Sequence, residues 1–183
     1  MNWLKKINIR QGIAKYMLSR EAKHIRRERK SVSFAEAKKI GILYEAGSRE
    51  NYELVKSYVR KLRSMQKEVQ SLGFIDSKKV PGDQYIKLGL DFFTREHLSW
   101  WMLPHSRLTS NFIQEKFDIL LNLNMSGCLQ LEYISAYSKA RYRTGRYAEG
   151  NDRYYDLMIH LKPSDDLKSF IEQTDHYMNL IYS

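Results

Sequence analysis

The chain has 183 residues, of which 43% are hydrophobic, with nine glycines, three prolines and a formal net charge of +10. These values exclude a disordered or fibrous chain and suit one domain with a real core, together with an extension. The single cysteine, Cys128, excludes an internal disulfide and favours a reducing compartment.

The positive charge is concentrated at the amino terminus. Residues 1–39 contain 12 lysines and arginines against three acids, a net of +9, whereas residues 40–183 carry a net of +1. Apolar residues recur at steps of three and four over residues 3–29, which predicts a helix with a narrow apolar stripe. The sequence therefore predicts a basic helical arm over residues 1–39 and a single α/β domain over residues 40–183.

Three interpretations of this arm stay open. In the favoured one, its cations bind the phosphates of RNA or of a ribosome. In the second, the helix lies on an anionic membrane surface, with Trp3 and Leu18 in the lipid interface. In the third, the apolar stripe packs against the domain and the charges only face solvent. The candidate phosphate-binding cations of the arm are Lys5, Lys6, Arg10, Lys15, Arg20, Lys23, Arg26, Arg27, Arg29 and Lys30.

Strand and helix patterns alternate beyond the arm. Apolar runs predict strands at residues 39–44, 69–75, 85–93, 117–123, 141–144 and 154–161. Three-to-four spacing and capping residues predict helices at residues 49–66, 111–116, 129–140 and 164–181. This alternation predicts a three-layer α/β fold with an open, mainly parallel sheet and flanking helices. We expect an antiparallel excursion within residues 84–103, where no long helix is predicted.

Ligands of an open α/β sheet bind beyond the carboxyl ends of the strands. That rule selects four loops, at residues 45–49, 76–79, 122–127 and 145–147. In the third loop, two amides, a hydroxyl and a glycine stand where a helix begins, so free backbone N–H groups could hold an anion. The same residue types serve any strand-to-helix turn. The candidate crevice residues, for a small ligand or a nucleotide, are Ser48, Asn122, Asn124, Ser126 and Gly127.

The sequence has no motif of a known catalytic or metal site. HExxH and CxxC pairs, a GxSxG elbow, a P-loop and the dinucleotide fingerprint are all missing from it. Cys128 could have a lowered pKa at a helix start, and Asp118 could act as an acid or base. The favoured explanations are that Cys128 is a small buried residue and that Asp118 faces solvent at a strand end. We therefore expect a non-enzymatic protein without a metal or a cofactor.

Arginines and tyrosines alternate in residues 141–155. Arginine beside exposed aromatic side chains is typical of single-stranded nucleic-acid binding, which makes Arg141, Arg143 and Arg146 a secondary candidate surface. Tyrosines that pack on arginine stems at strand edges explain the same pattern.

Several segments resemble an uncharacterised family of small basic proteins from Bacteroidetes. The resemblance is carried by residues 117–124 (FDILLNLN), 133–141 (YISAYSKAR) and 143–145 (RTG), and extends to residues 39–44 and 91–100. It implies a bacterial, cytoplasmic protein and supplies no activity. The order of these motifs is also similar to heptosyltransferase-type glycosyltransferases. Those enzymes have two Rossmann-like domains and this chain has room for one, so we interpret that likeness as shared packing.

The sequence thus predicts a non-enzymatic RNA- or ribosome-binding protein of the cytoplasm. This localisation follows from the lack of a secretory signal and of any run of ~18 apolar residues. A peripheral membrane protein and a small-ligand or nucleotide-binding protein are the alternatives. The oligomeric state stays open.

Overall fold

The predicted strands form one sheet in which all neighbours run parallel. The computed structural model of the chain describes residues 12–18, 20, 27–30, 32–80 and 90–180. The spatial order is β3-β2-β1-β4-β5-β6, the order of a doubly wound α/β sheet. The strands are β1 (Lys39–Glu45), β2 (Glu68–Ile75), β3 (Leu90–Thr94), β4 (Ile119–Leu123), β5 (Tyr142–Arg146) and β6 (Leu157–Ile159).

Helices cover both faces of the sheet. They are α1 (residues 12–18), α2 (Arg49–Ser64), α3 (Arg107–Gln114), α4 (Leu129–Tyr137) and α5 (Leu167–Leu180), with short 3₁₀ turns at Arg95–His97 and Asn151–Arg153. Helices α2 and α5 pack on one face, and α3 and α4 pack on the other. The expected three-layer α/β architecture is therefore confirmed.

The central strands are apolar on both faces because both faces are covered. In β4, Ile119 and Leu121 contact the α2–α5 layer, whereas Leu120 between them contacts the α3–α4 layer. Side chains of a strand alternate between the two faces, so a near-continuous apolar run fills two cores at once. This is why the apolar runs of β1 and β4 predicted a parallel sheet correctly.

Helix α1 packs against the domain by its apolar side. Ala14 and Leu18 are buried in a cluster with Leu129 of α4 and with Tyr154 and Tyr155, which precede β6. The helix predicted over residues 3–29 does not reach its expected end, because residues 27–30 are not helical. The contacts of the described part of the arm therefore agree with the third interpretation, in which the apolar stripe packs against the domain.

Two predicted elements differ because of turn chemistry. The strand predicted at residues 154–161 is shortened to β6, since the Asn151–Arg153 turn places Tyr154 and Tyr155 in the core. Helix α3 begins earlier than predicted, at Arg107, because Ser106 and Thr109 cap its first turn reciprocally. Strand β3 pairs in parallel with β2, so the expected antiparallel excursion is reduced, among residues 90–104, to one bridge between Leu98 and Pro104.

Candidate functional site

A cavity opens at the carboxyl edge of the sheet, beside β1 and β4. The chain leaves β1 towards β2 on one side and leaves β4 towards β5 on the other, so these two strands bound the point where the strand order reverses. Open α/β sheets bind ligands at this point. The cavity measures about 570 Å³. It is lined by Glu45 and Gly47 at the β1 end, Phe74 and Asp76 at the β2 end, residues 126–130 after β4, and Gly12 and Lys15 of α1.

The loop after β4 is held by hydrogen bonds from its own surroundings. Asn124 Oδ1 accepts from the backbone N–H groups of Gly127 and Cys128, at 3.1 and 3.0 Å. Glu45 Oε1 accepts from the N–H groups of Met125 and Ser126, at 3.1 and 2.9 Å. These four N–H groups are therefore already used, and the expectation that they are free to hold an anion is wrong.

The candidate crevice residues fall into two groups. Ser126 and Gly127 line the cavity. Ser48 instead caps α2, because its hydroxyl accepts from the Asn51 N–H at 3.1 Å. Asn122 is buried in β4, where its amide donates to the Tyr155 hydroxyl at 2.8 Å. Asn124, Ser48 and Asn122 thus shape the site rather than line it.

A buried carboxylate lies behind Gly127. Gly127 has a φ of +78°, and a Cβ there would lie 3.8 Å from Glu132 Oε1 and 3.7 Å from Arg146 Nη2. Glu132 is 3% exposed, and among the described residues its Oε2 has no hydrogen-bond partner. Burial raises the pKa of Glu132, while Lys15, Asn151 and Arg146 act in the opposite direction. The left-handed backbone at position 127 therefore favours glycine, and Glu132 and Arg146 lie just behind it.

Cys128 lines the cavity as an unreactive thiol. Burial and, to a smaller extent, the nearby carboxylates of Glu45 and Glu132 raise the pKa of this thiol to about 12. The thiol donates a hydrogen bond to Gln130 Oε1 at 3.1 Å. The helix start does not lower its pKa, because burial outweighs the effect of the helix dipole. A cysteine nucleophile is therefore not supported.

Two of the predicted phosphate-binding arginines are buried in the domain. The Arg27 side chain is 2% exposed and forms a two-point ion pair with Asp156. Arg143 is also 2% exposed, and its guanidinium donates to the backbone carbonyls of Ser135 and Ala136. Burial lowers the pKa of Arg143 to about 9, and the charge of Arg27 adds to this effect. The expectation that Arg27 and Arg143 contact phosphates is therefore wrong.

The other predicted cations differ in position. Arg29 and Lys30 are exposed, as are Lys15 and Arg20. Arg141 pairs with Asp118 at 3.1 Å, and Arg146 lies beside Gly127 at the cavity. Five residues lie outside the described residues: Lys5, Lys6, Arg10, Lys23 and Arg26. RNA or ribosome binding through the exposed cations stays a prediction.

Several residues at the cavity were not assigned to a ligand crevice from the sequence. The sequence could have indicated Glu45, because this residue ends an apolar strand and begins one of the four loops selected as ligand-binding loops. No sequence pattern indicated Lys15 or Glu132 as cavity residues, since their place at the cavity depends on how α1 and α4 pack. Over the described ranges, no three His, Cys, Asp or Glu side chains are grouped to hold a metal. None of the helices in those ranges is long and apolar enough to cross a bilayer.

The profile of a family of unknown function, DUF6913, matches residues 10–181, so the chain belongs to that family. Neither the curated proteins nor the solved structures include a significant match to the chain.

Proposed function

We propose that this member of the family binds a small phosphorylated ligand of the nucleotide class in the cavity beside β1 and β4. The observation that carries the proposal is the position of the cavity, at the reversal point of a doubly wound sheet. Nucleotides bind at this point in sheets of the same strand order. A volume of about 570 Å³ suits a ligand of this size.

Two positively charged groups at the cavity favour a ligand that carries a phosphate. Helix α2 begins just after Gly47, and the amino-terminal end of a 16-residue helix carries a partial positive charge. Lys15 of α1 lines the same cavity. The β1–α2 turn has one glycine, whereas the dinucleotide fingerprint has three. We therefore propose a single phosphate rather than a pyrophosphate.

Asp76 favours a ligand that also carries a ribose. It follows β2 and lines the cavity, and an acidic side chain near the end of the second strand accepts the ribose hydroxyls in dinucleotide-binding sheets. Arg95 holds it in place through Nε–Oδ1 and Nη2–Oδ2 contacts of 2.5 and 2.9 Å. These bonds lower the pKa of Asp76, so it stays a hydrogen-bond acceptor at neutral pH. A carboxylate held by one arginine still has acceptor sites for two hydroxyls.

Thermal unfolding with adenosine monophosphate, adenosine diphosphate, adenosine and inorganic phosphate tests the proposal. We expect the monophosphate to raise the melting temperature most, by roughly 5 to 10 °C at a hundredfold excess over Kd. Isothermal calorimetry then gives the affinities. Flat melting curves and no heat with all four compounds would contradict the proposal.

Replacement of a glycine in the cavity tests whether the ligand binds there. A Cβ at Gly47 meets nothing within 4 Å, so Gly47→Leu fills the cavity without disturbing the fold. We expect it to abolish binding of the monophosphate, whereas Ser57→Leu, at an exposed position on α2, leaves it unchanged. Lys15→Gln should weaken the monophosphate about tenfold and leave adenosine unaffected. Normal binding by folded Gly47→Leu would place the ligand elsewhere.

A further inference from the structure

The outer side of α1 is apolar although it faces solvent. Ala14 and Leu18 are buried on the inner side of this helix, but Ile13, Tyr16 and Met17 are 44%, 62% and 47% exposed. A helix that only covers a domain normally presents polar side chains outwards. Helix α1 therefore has an exposed apolar side in addition to the buried one.

A loop near α1 carries two more exposed aromatic side chains. Trp100 and Trp101 are 69% and 47% exposed. Leu103, two residues after Trp101, packs against the cluster that buries the inner side of α1. The Met102 carbonyl accepts from Gln130 Nε2 at 2.9 Å, and Gln130 lines the cavity together with residues of α1. We refer to Ile13, Tyr16, Met17, Trp100 and Trp101 together as the α1 patch.

Positive charge accompanies the α1 patch. The Arg20 guanidinium lies 6.0 Å from the centre of the Tyr16 ring, and Lys15 is exposed on the same helix. Both belong to the segment of residues 1–39, which has a net charge of +9. Tryptophan and tyrosine sit at the headgroup level of bilayers, and neighbouring lysine and arginine attract anionic lipids.

We propose that the α1 patch docks the protein on an anionic membrane surface. The aromatic rings and the aliphatic side chains of Ile13 and Met17 enter the interface, while Arg20 contacts lipid phosphates. RNA would use the cations and could stack on the rings, but it offers no apolar environment for Ile13 and Met17. None of the five patch residues lines the proposed ligand cavity, so each proposal can be tested without the other.

Vesicle flotation of the full-length protein tests the proposal. We expect binding to vesicles of phosphatidylcholine with about one quarter phosphatidylglycerol, and none to phosphatidylcholine alone. The double variants Ile13→Ser/Met17→Ser and Trp100→Ser/Trp101→Ser should each lower partitioning about tenfold or more. The matched control is Met65→Ser/Tyr177→Ser, at residues just after α2 and on α5 that are 48% and 44% exposed, and it should bind normally.

Melting temperatures show whether each variant is folded, and tryptophan fluorescence gives a second measurement on the unmodified chain. Vesicle binding should shift the emission to shorter wavelength. The proposal is overturned if neither vesicle binds, if both bind equally, or if the control loses as much as the patch variants. Binding to single-stranded RNA that displaces the vesicles, with Ile13→Ser/Met17→Ser unaffected, would identify RNA as the partner instead.

Discussion

Removal of the Asp156 carboxylate should destabilise the protein strongly. Asp156 is 13% exposed at the side chain and forms an ion pair with the buried Arg27. It also accepts from the Arg143 backbone N–H at 2.9 Å, beside the buried Arg143 guanidinium. In Asp156→Ala, both arginines keep their desolvation cost and lose the compensating charge.

The size of this effect follows from burial. Breaking a buried pair by removing one partner costs about 3–5 kcal/mol, out of a typical total of roughly 5–15 kcal/mol. For a chain of this length, that cost corresponds to a melting temperature lower by roughly 6 to 20 °C. Urea unfolding followed by circular dichroism measures the free energy directly.

A surface pair and a double variant provide the controls. Glu53 pairs with Lys56 at 2.8 Å on α2 and is 48% exposed, so Glu53→Ala should destabilise the protein far less than Asp156→Ala. Arg27→Met combined with Asp156→Ala should be more stable than Asp156→Ala alone, because one unmatched charge is removed. If Asp156→Ala costs no more than Glu53→Ala, the buried network does not stabilise the fold as argued.

Four further predictions follow from the site and the core. Burial raises the pKa of Asp118, but hydrogen bonds from Lys39 and Lys38 and the Arg141 charge lower it overall. Stability from Asp118 is present above about pH 4 and lost as pH falls through the lowered pKa, so Asp118→Asn should flatten the acid limb of urea unfolding. Because burial raises the pKa of Cys128 to about 12, this thiol should react with a disulfide reagent at neutral pH about a hundredfold more slowly than free cysteine, and normally in urea. A Cβ at Gly145 would lie 2.5 Å from the Tyr155 ring, so Gly145→Ala should cost at least about 2 kcal/mol by thermal unfolding. RNA binding, if the exposed cations provide it, should weaken steeply with salt in filter binding, and a flat salt response would contradict it.

The fold could be predicted because its signals are local. The apolar run of β4 is filled on two faces, and Ser48 gives a direct start signal for α2. The start of α3 was missed because its capping box uses Thr109 rather than a glutamate or glutamine. The carboxyl-end rule also selected three of the loops that line the cavity, since it depends on strand direction alone.

The site chemistry could not be predicted because it depends on partners that are distant in the chain. Arg27 belongs to a dense basic run, which indicated a phosphate contact, and only the fold brings Asp156 to it across 129 positions. The loop after β4 has the composition of an anion site, yet Glu45 reaches it from 81 positions away. In both cases a carboxylate of the protein already occupies the place that an external anion would take.

The described residues of the basic segment contact the α/β domain at several positions. Leu18 packs on Tyr154 and its neighbours, Lys15 lines the cavity, and Arg27 completes a buried ion pair. Deleting residues 1–39 would therefore open the core, remove a cavity wall and leave Asp156 without Arg27. Loss of binding by such a truncated chain would not distinguish a missing contact from a damaged fold. Point replacements at the exposed Lys30 keep those three contacts, so they separate binding from stability.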